Sequence, residues 1–134
     1  MKFNYKKLAS GILRPIIPIE VGYKNERTKY FALIDSGADI SLFDAEVGES
    51  IGIDITSGEK SLIGGITEGE SQPYYIHSVK ITIGGWEYKT KVGFMPTLSK
   101  LGHGLLGQRG FFDLFKGVKF EFDGTRGEIE LRRK

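Results

Sequence analysis

The chain has 134 residues, no cysteine and a formal charge of only +2, from 19 basic and 17 acidic side chains. This length suits a single domain over residues 1–134, in which we expect residues 1–13 to be a flexible segment. A composition of 40% hydrophobic and 27% charged residues excludes a disordered chain, and the missing cysteines exclude disulfides and thiolate metal sites. No apolar stretch approaches the roughly 20 residues of a membrane span, so we expect a soluble, cytoplasmic protein.

The first half of the chain predicts a hairpin followed by one short helix. Residues 14–23 alternate apolar and polar side chains as a half-buried strand does, and residues 28–34 are β-branched and aromatic. These two strands should pair across the polar break between them. Residues 43–53 carry apolar spacings of three and four, which predict a short helix with Asp44 as its N-cap.

Glycine-centred turns dominate the second half and predict further hairpins. The paired segments are residues 79–83 with 86–94, residues 118–122 with 127–131, and a longer hairpin over residues 59–75. Residues 101–115 are rich in Phe near their end and predict a final helix. The expected class is all-β, mostly antiparallel hairpins, with one or two short helices.

An apolar strand ends at Asp35 and delivers its carboxylate directly into the tight turn of Ser36 and Gly37. Removing an ionised carboxylate from water costs several kcal/mol, so Asp35 requires either hydrogen bonds or a function. The purely structural alternative is an Asx-turn in which Asp35 only caps the loop. This segment alone leaves both interpretations open.

Three motifs in order make the chain resemble the retropepsin family, the single-domain aspartic proteases of retroviruses and their cellular and bacterial relatives. The motifs are Asp35-Ser36-Gly37-Ala38-Asp39, Ile63-Gly64-Gly65-Ile66 and Leu105-Leu106-Gly107. They resemble, in turn, the catalytic loop, the tip of the flap, and the apolar pair with glycine that precedes the family's helix. The resemblance runs over about residues 17–122 and implies a retropepsin-like closed barrel, which is half of a pepsin-like bilobed unit.

The resemblance also implies roles for individual residues. It assigns catalysis to Asp35, Ser36 and Gly37. It assigns substrate binding to Ala38, Asp39, Ile63, Gly64, Gly65, Ile66 and Leu106. Residues 62–67 would form the closing flap. One departure concerns the family's arginine after the last glycine, because Gln108 follows Gly107 here and Arg109 comes one position later. An ion pair between Arg109 and Asp39 is therefore only a hypothesis.

The chemistry of this family needs two carboxylates about 3 Å apart that share one proton. The chain contains no second apolar-Asp-Ser/Thr-Gly segment, because Asp54 and Asp113 lack the glycine and Asp123 lies in an evident hairpin turn. The second carboxylate should therefore come from another copy of the chain, which predicts a homodimer. We expect a polypeptide substrate, no cofactor and no metal, since His77 and His103 are single and lack metal-ligand spacing.

Two other functions fit the sequence less well. A retropepsin-like domain that binds peptide or dimerises without turnover is the main alternative, and the intact Asp35-Ser36-Gly37 segment favours the enzyme over it. A small β-barrel that binds nucleic acid is disfavoured by the balanced charge and by the lack of interleaved basic and aromatic residues on one strand. We therefore expect neither a nucleic acid nor a membrane as partner.

Overall fold

The computed structural model describes residues 1–64 and 71–134, and strands make up most of them. The strands are β1 (Lys2–Asn4), β2 (Lys6–Lys7), β3 (Leu13–Arg14), β4 (Ile16–Tyr23), β5 (Glu26–Ile34), β6 (Leu42–Asp44), β7 (Glu59–Gly64), β8 (Ser71–Ile83), β9 (Trp86–Met95), β10 (Gly104–Leu106), β11 (Phe115–Phe122) and β12 (Gly127–Arg133). One α-helix, α1 (Ala45–Ser50), and 3-10 turns at Ile55–Ser57, Leu98–Leu101 and Phe112–Leu114 complete these elements. No helix in the described ranges is long and apolar enough to cross a membrane.

Six strands close into a barrel in the order β4, β5, β10, β6, β9, β8, because β8 pairs with β4 as well as with β9. Strand β7 extends this sheet by pairing with the first half of β8. Two neighbouring pairs are parallel, β5 with β10 and β6 with β9, and the others are antiparallel. The predicted all-β class with a closed barrel is confirmed.

The barrel is filled by the alternating apolar residues that the sequence pattern predicts. On β4, Ile17, Ile19 and Val21 are buried, whereas Pro18 is exposed and Glu20 is half-buried. Such alternation places every second side chain in the core. The same core cluster includes residues of β5, β8, β9 and β10, and a second, smaller cluster packs Leu42 of β6 with Tyr74 of β8 and Met95 of β9.

Helix α1 has the predicted cap. Asp44 accepts a hydrogen bond from the N–H of Glu46 at 3.0 Å, which satisfies one of the free donors of the first turn. The helix ends at Ser50, and Gly52 follows with a φ of +91°, a left-handed conformation that glycine adopts without strain. The prediction of a short helix after Asp44 is confirmed.

The predicted final helix over residues 101–115 is wrong in extent. Residues 104–106 form β10, and only residues 112–114 make a 3-10 turn. Four glycines at positions 102, 104, 107 and 110 reduce helix propensity, and two of them have positive φ, +75° at Gly102 and +95° at Gly110. The burial that the Phe spacing predicts is confirmed for Phe111 and Phe115, which lie in the core. These side chains are buried although the segment does not form an α-helix.

The two ends of the chain meet in a separate three-stranded sheet, which we call the terminal sheet, in the order β1, β12, β11. The predicted hairpin of β11 and β12 is confirmed, with Phe120 opposite Ile129. Strand β1 pairs with β12, and β2 forms a short hairpin with β3. The flexibility expected of residues 1–13 stays a prediction.

Candidate active site

Asp35 is placed at one end of the barrel by two parallel strands. It follows the last residue of β5, Ile34, which lies opposite Leu106 on β10. The N–H of Asp35 donates to the carbonyl of Leu106 at 2.9 Å, which carries the strand pairing one residue further. Because Ile34 and Leu106 are both buried, the backbone beneath Asp35 is fixed by the barrel core.

The carboxylate of Asp35 is half-buried and has a local hydrogen bond. Its Oδ1 accepts from the N–H of Gly37 at 2.9 Å, and its carbonyl accepts from the N–H of Ala38 at 3.1 Å. The first bond is the Asx-turn that the sequence left open. Within the described part of the chain, no donor reaches Oδ2, so this oxygen stays available to another group.

The loop after Asp35 is bound to the segment after β10 by long-range main-chain hydrogen bonds. The N–H of Gln108 donates to Ala38 at 2.8 Å, and the N–H of Arg109 donates to Asp39 at 3.0 Å. The side-chain amide of Gln108 also donates, through Nε2, to the carbonyl of Ser36 at 2.9 Å. Residues 36–39 are thereby held in place by residues more than 60 positions away in the chain.

Ser41 supports this arrangement from inside the protein and was not identified from the sequence. It is fully buried, and its Oγ accepts from the N–H of Gly107 at 3.0 Å and donates to the carbonyl of Arg109 at 3.1 Å. A buried hydroxyl is costly unless it is hydrogen-bonded, and Ser41 meets this condition on both sides. The available signal was one serine between Ile40 and Leu42 in an apolar run.

The predicted site residues around Asp35 are brought together, with one exception. Ser36, Gly37 and Asp39 are exposed beside it, and Ala38 is half-buried. Leu106 does not fit a substrate-binding role, because its side chain is fully buried and only its carbonyl takes part, as the acceptor for Asp35. In this conformation Leu106 supports the loop from the core.

The predicted flap falls only partly within the structure. Ile63 and Gly64 end β7, where they lie opposite Gln72 and Ser71 of β8. The predicted substrate-binding residues Gly65 and Ile66 lie outside the described residues. The expected hairpin arms are therefore present, while the tip assigned to the flap stays a prediction.

Arg109 does not form the ion pair suggested by the sequence. Among the ion pairs of residues 1–64 and 71–134, none joins its guanidinium to Asp39, and the two residues are linked through their main chains. Gln108 occupies the position of the family's arginine and ties Ser36 with a neutral amide. Both side chains are exposed at the mouth of the site.

Tyr30 of β5 packs edge-on against Phe43 of β6 with ring centroids 5.4 Å apart. Burial raises the pKa of Tyr30 to about 12, although its hydroxyl accepts a hydrogen bond from the N–H of Asp44. Gly104 on β10 has no room for a side chain here, because a Cβ would lie 2.6 Å from the ring of Tyr30. This packing fixes β10, and hence the acceptor at Leu106, against the rest of the barrel.

The described residues contain no group of three or more His, Asp or Glu side chains arranged to hold a metal ion. The reactive group of this site is the carboxylate of Asp35, which lies in a loop held by hydrogen bonds. Within the described residues its Oδ2 has no hydrogen-bond donor, and the main chain beside it is exposed. Such a carboxylate can accept or donate a proton.

The comparisons with known proteins agree with this geometry. A family model described as aspartyl protease matches residues 18–109, which is more than half of the chain and runs from β4 to the segment after β10. No curated protein matches. The chain belongs to the aspartyl protease family.

Two solved structures show the same fold. A retropepsin-like aspartic protease from Rickettsia conorii matches with a TM-score of 0.62 and 22% identity, over 96% of this chain and 89% of that chain. EIAV protease complexed with the inhibitor HBY-793 matches with a TM-score of 0.50 and 22% identity, over 71% of this chain and 82% of that chain. The fold is therefore retropepsin-like.

Proposed function

We propose that the chain is a homodimeric aspartic endopeptidase that uses one Asp35 from each subunit and no cofactor. The observation that carries the proposal is the open Oδ2 of Asp35, in a loop that long-range hydrogen bonds hold rigid. A residue that served only as a turn cap would need no such support. Membership of the aspartyl protease family supports the same conclusion.

The proposed reaction needs the two carboxylates in different protonation states. The ionised one accepts a proton from a bound water as that water's oxygen attacks the carbonyl carbon of the peptide bond. The protonated one donates its proton to the carbonyl oxygen, giving a neutral tetrahedral diol. Collapse of the diol then returns a proton to the departing nitrogen, and the C–N bond breaks to leave a carboxylic acid and an amine.

The exposed main chain around Asp35 fits a substrate bound in extended form. Ser36 and Gly37 are accessible beside the carboxylate, and the arms of the hairpin β7–β8 are the supports of the proposed flap. Extended peptides commonly bind by adding a strand to such edges. The substrate is accordingly a polypeptide, and the cytoplasmic location expected from the sequence stays a prediction.

Subunit mixing tests the proposal directly. Wild-type chain at a fixed concentration is titrated with Asp35→Asn chain while cleavage of a peptide library is followed at acid pH. Mixed dimers carry only one carboxylate, so a tenfold excess of the variant should reduce cleavage about tenfold. Asp123→Asn is the matched control, since it changes another loop aspartate and should not inhibit.

Two results would contradict the proposal. Undiminished cleavage in excess Asp35→Asn chain would mean that a single chain is active. Peptide binding by the wild type without any cleavage across the acid range would favour the silent peptide-binding module. The working enzyme should instead show a bell-shaped pH profile on the acid side, because the pair must hold one proton.

A further inference from the structure

Two hydrogen bonds at the candidate site meet on one peptide group. The carbonyl of Ser36 accepts from Nε2 of Gln108 at 2.9 Å. The N–H of Gly37, which belongs to the same peptide group, donates to Oδ1 of Asp35 at 2.9 Å. The side chain of Gln108 is therefore connected to the carboxylate of Asp35 through a single peptide group.

The geometry of a peptide group couples these two bonds. The group is planar, and in the trans form its C=O and N–H point in opposite directions. The described residues contain no cis peptide bond, so Gln108 and the carboxylate of Asp35 hold this group from opposite sides. Rotation of the group away from either partner weakens both hydrogen bonds at once.

The main chain of Gln108 is itself fixed, so its side chain starts from a defined position. Its N–H donates to the carbonyl of Ala38 at 2.8 Å, and its carbonyl accepts from the N–H of Asp113 at 3.2 Å. The side chain is exposed, and an exposed glutamine is free to take several rotamers. The bond to Ser36 selects one of them.

The bond from Gly37 in turn determines which oxygen of Asp35 stays free. A carboxylate can turn about its last side-chain bond unless a donor holds one of its oxygens. Here Gly37 holds Oδ1. Hydrogen bonds in a chain polarise one another, so donation from Gln108 to the carbonyl strengthens the N–H of Gly37 as a donor. Donation to a carboxylate favours its ionised form over its protonated form.

We propose that Gln108 is a positioning residue for the proposed reaction. It fixes the peptide group between Ser36 and Gly37, and this group fixes the direction of the Asp35 carboxylate and favours its ionised form. Because the amide of Gln108 is neutral, it adds no charge beside the two carboxylates that must share a proton. The inference rests on the proposed function, since it concerns the carboxylate that performs the proposed reaction.

A purely structural role for Gln108 is the alternative. An exposed side-chain hydrogen bond can stabilise a loop without taking part in its chemistry. A structural role lowers activity by the same factor at every pH, because it changes only the amount of correctly folded loop. A positioning role changes the range of pH over which the enzyme works, and this difference can be measured.

Gln108→Met keeps a similar side-chain length and removes the amide donor. Its kcat/KM at the optimum should fall about tenfold, because the carboxylate is no longer held in one direction. The acid limb of its pH profile should move to higher pH, because Gly37 then supports the ionised form less well and the base is protonated sooner as the pH falls. The melting temperature should change little, since the lost bond is exposed.

Gln108→Glu replaces the amide by a carboxyl group of the same shape. Below about pH 4 this group is protonated, and its O–H can still donate to the carbonyl of Ser36. At higher pH it is ionised, can only accept, and repels the carboxylates of Asp35 and Asp39. The alkaline limb of its profile should therefore move to lower pH, while its acid limb stays close to that of the wild type.

The two variants together separate positioning from structural support. The other charged side chains of the joined segments, Asp39, Arg109 and Asp113, are the same in both variants and cannot displace opposite limbs of the profile. A uniform loss of activity at every pH in both variants would show a structural role and overturn the proposal. A wild-type rate and profile in Gln108→Met would overturn it as well.

Amide hydrogen exchange reports on the same peptide group without any turnover. The N–H of Gly37 should exchange about tenfold faster in Gln108→Met than in the wild type, because the carbonyl side of its peptide group is no longer held. The N–H groups at positions 108 and 109, which donate to Ala38 and Asp39, are internal controls and should keep their wild-type rates. Equal acceleration at all three would mean that the whole loop is loosened, which would contradict the proposal.

Arg109→Met is the matched variant for the exchange measurement. Arg109 is the next residue and is equally exposed, and among the ion pairs of the described residues none involves its guanidinium. Its substitution should leave the exchange rate of Gly37 within about twofold of the wild type. An acceleration as large as that in Gln108→Met would assign the effect to any change at the mouth of the site and would refute the role of Gln108.

The outcomes for Gln108 and for the proposed enzyme are distinguishable. If the wild type cleaves and subunit mixing inhibits it, but Gln108→Met keeps both the wild-type profile and the wild-type exchange of Gly37, the dimeric enzyme stands and the role of Gln108 is wrong. If the wild type cleaves nothing while Gly37 alone exchanges faster in Gln108→Met, the contact stands and the peptidase is wrong, and the positioning role is wrong with it.

Discussion

Asp35 and Asp123 occupy similar local positions in the chain and very different surroundings. Each follows a strand, and each accepts a hydrogen bond on Oδ1 from the N–H two residues on, at 2.9 Å from Gly37 and 2.8 Å from Thr125. The Oδ1 of Asp123 also accepts from the Thr125 hydroxyl at 2.7 Å and from the N–H of Arg126 at 3.0 Å. These bonds lower the pKa of Asp123 to about 2.

The difference lies in what holds each loop. The turn at Asp123 is stabilised by its own residues, and the carboxylate is the centre of that stabilisation. The loop at Asp35 is held by residues 106–109 through main-chain bonds and the side-chain amide of Gln108, and its carboxylate contributes a single contact. An aspartate that a loop does not need for its shape is the one that is available for chemistry.

Substitution of each aspartate by asparagine tests this difference most directly. Asp35→Asn should lower peptide cleavage by about 10³-fold or more, because both carboxylates of the dimer become amides, which cannot hold and transfer the shared proton. Its melting temperature should hold or rise, since the repulsion between paired carboxylates disappears. Asp123→Asn should cleave within about twofold of the wild type. Equal activity in Asp35→Asn and wild type would mean that Asp35 is only a turn cap.

A methyl group at Gly107 tests whether the distant segment holds the Asp35 loop. A Cβ there would lie 2.7 Å from the carbonyl oxygen of Ala38 and from main-chain atoms of Ile40. Gly107→Ala should therefore cost about 1–3 kcal/mol of unfolding free energy and most of the activity. At Gly22 the nearest atoms are 3.7 Å away, so Gly22→Ala should change neither by much. Denaturant titration and cleavage assays measure both.

Substitution of Ser41 also tests the hydrogen bonds that hold the segment after β10, with a smaller expected effect. Ser41→Ala leaves the buried N–H of Gly107 without its acceptor and should cost about 1–3 kcal/mol. Ser50 is the matched control, because its hydroxyl also donates to a main-chain carbonyl, that of Val47, but at an exposed position. We expect Ser50→Ala to cost less than about 0.5 kcal/mol. Similar losses at the two positions would contradict the role given to Ser41.

The pH dependence of stability should reveal the turn at Asp123. Its pKa is lowered to about 2 in the folded chain from a usual value of 3.8, so its stabilising effect is present above about pH 4 and is lost as the pH falls toward 2. The melting temperatures of wild type and Asp123→Ala should differ above that window and converge below it. Asp54→Ala, whose carboxylate makes no capping hydrogen bond, should show no such convergence.

Sequence patterns within short segments predicted much of the secondary structure. The alternation on β4, the Asp44 cap and the glycine turn between β8 and β9 are local features, and each predicted its element correctly. The Asp35 motif likewise identified the loop itself. The predicted final helix is wrong because the glycines at 102, 104, 107 and 110 oppose helix formation more strongly than the Phe spacing favours it.

The hydrogen bonds that hold the Asp35 loop in place could not be predicted from short sequence segments. Ser41, Gly107 and Gln108 act through bonds to residues more than 60 positions away, and only the fold brings them together. The resemblance to the family assigns Leu106 to substrate binding, yet its side chain is turned into the core. Proximity in a motif does not determine the direction of a side chain.

The 13 residues of strand β8 form two parts with different strand neighbours. Amide hydrogen exchange should distinguish these two parts. Residues 80–82 lie between β4 and β9, whereas residues 71–74 pair with β7 alone. Protection should therefore rise along one continuous strand, from fast exchange at its start to exchange limited by global unfolding near its end. The hydrogen bonds that join residues 71–74 to β7 should therefore break more often than those that join residues 80–82 to β4 and β9.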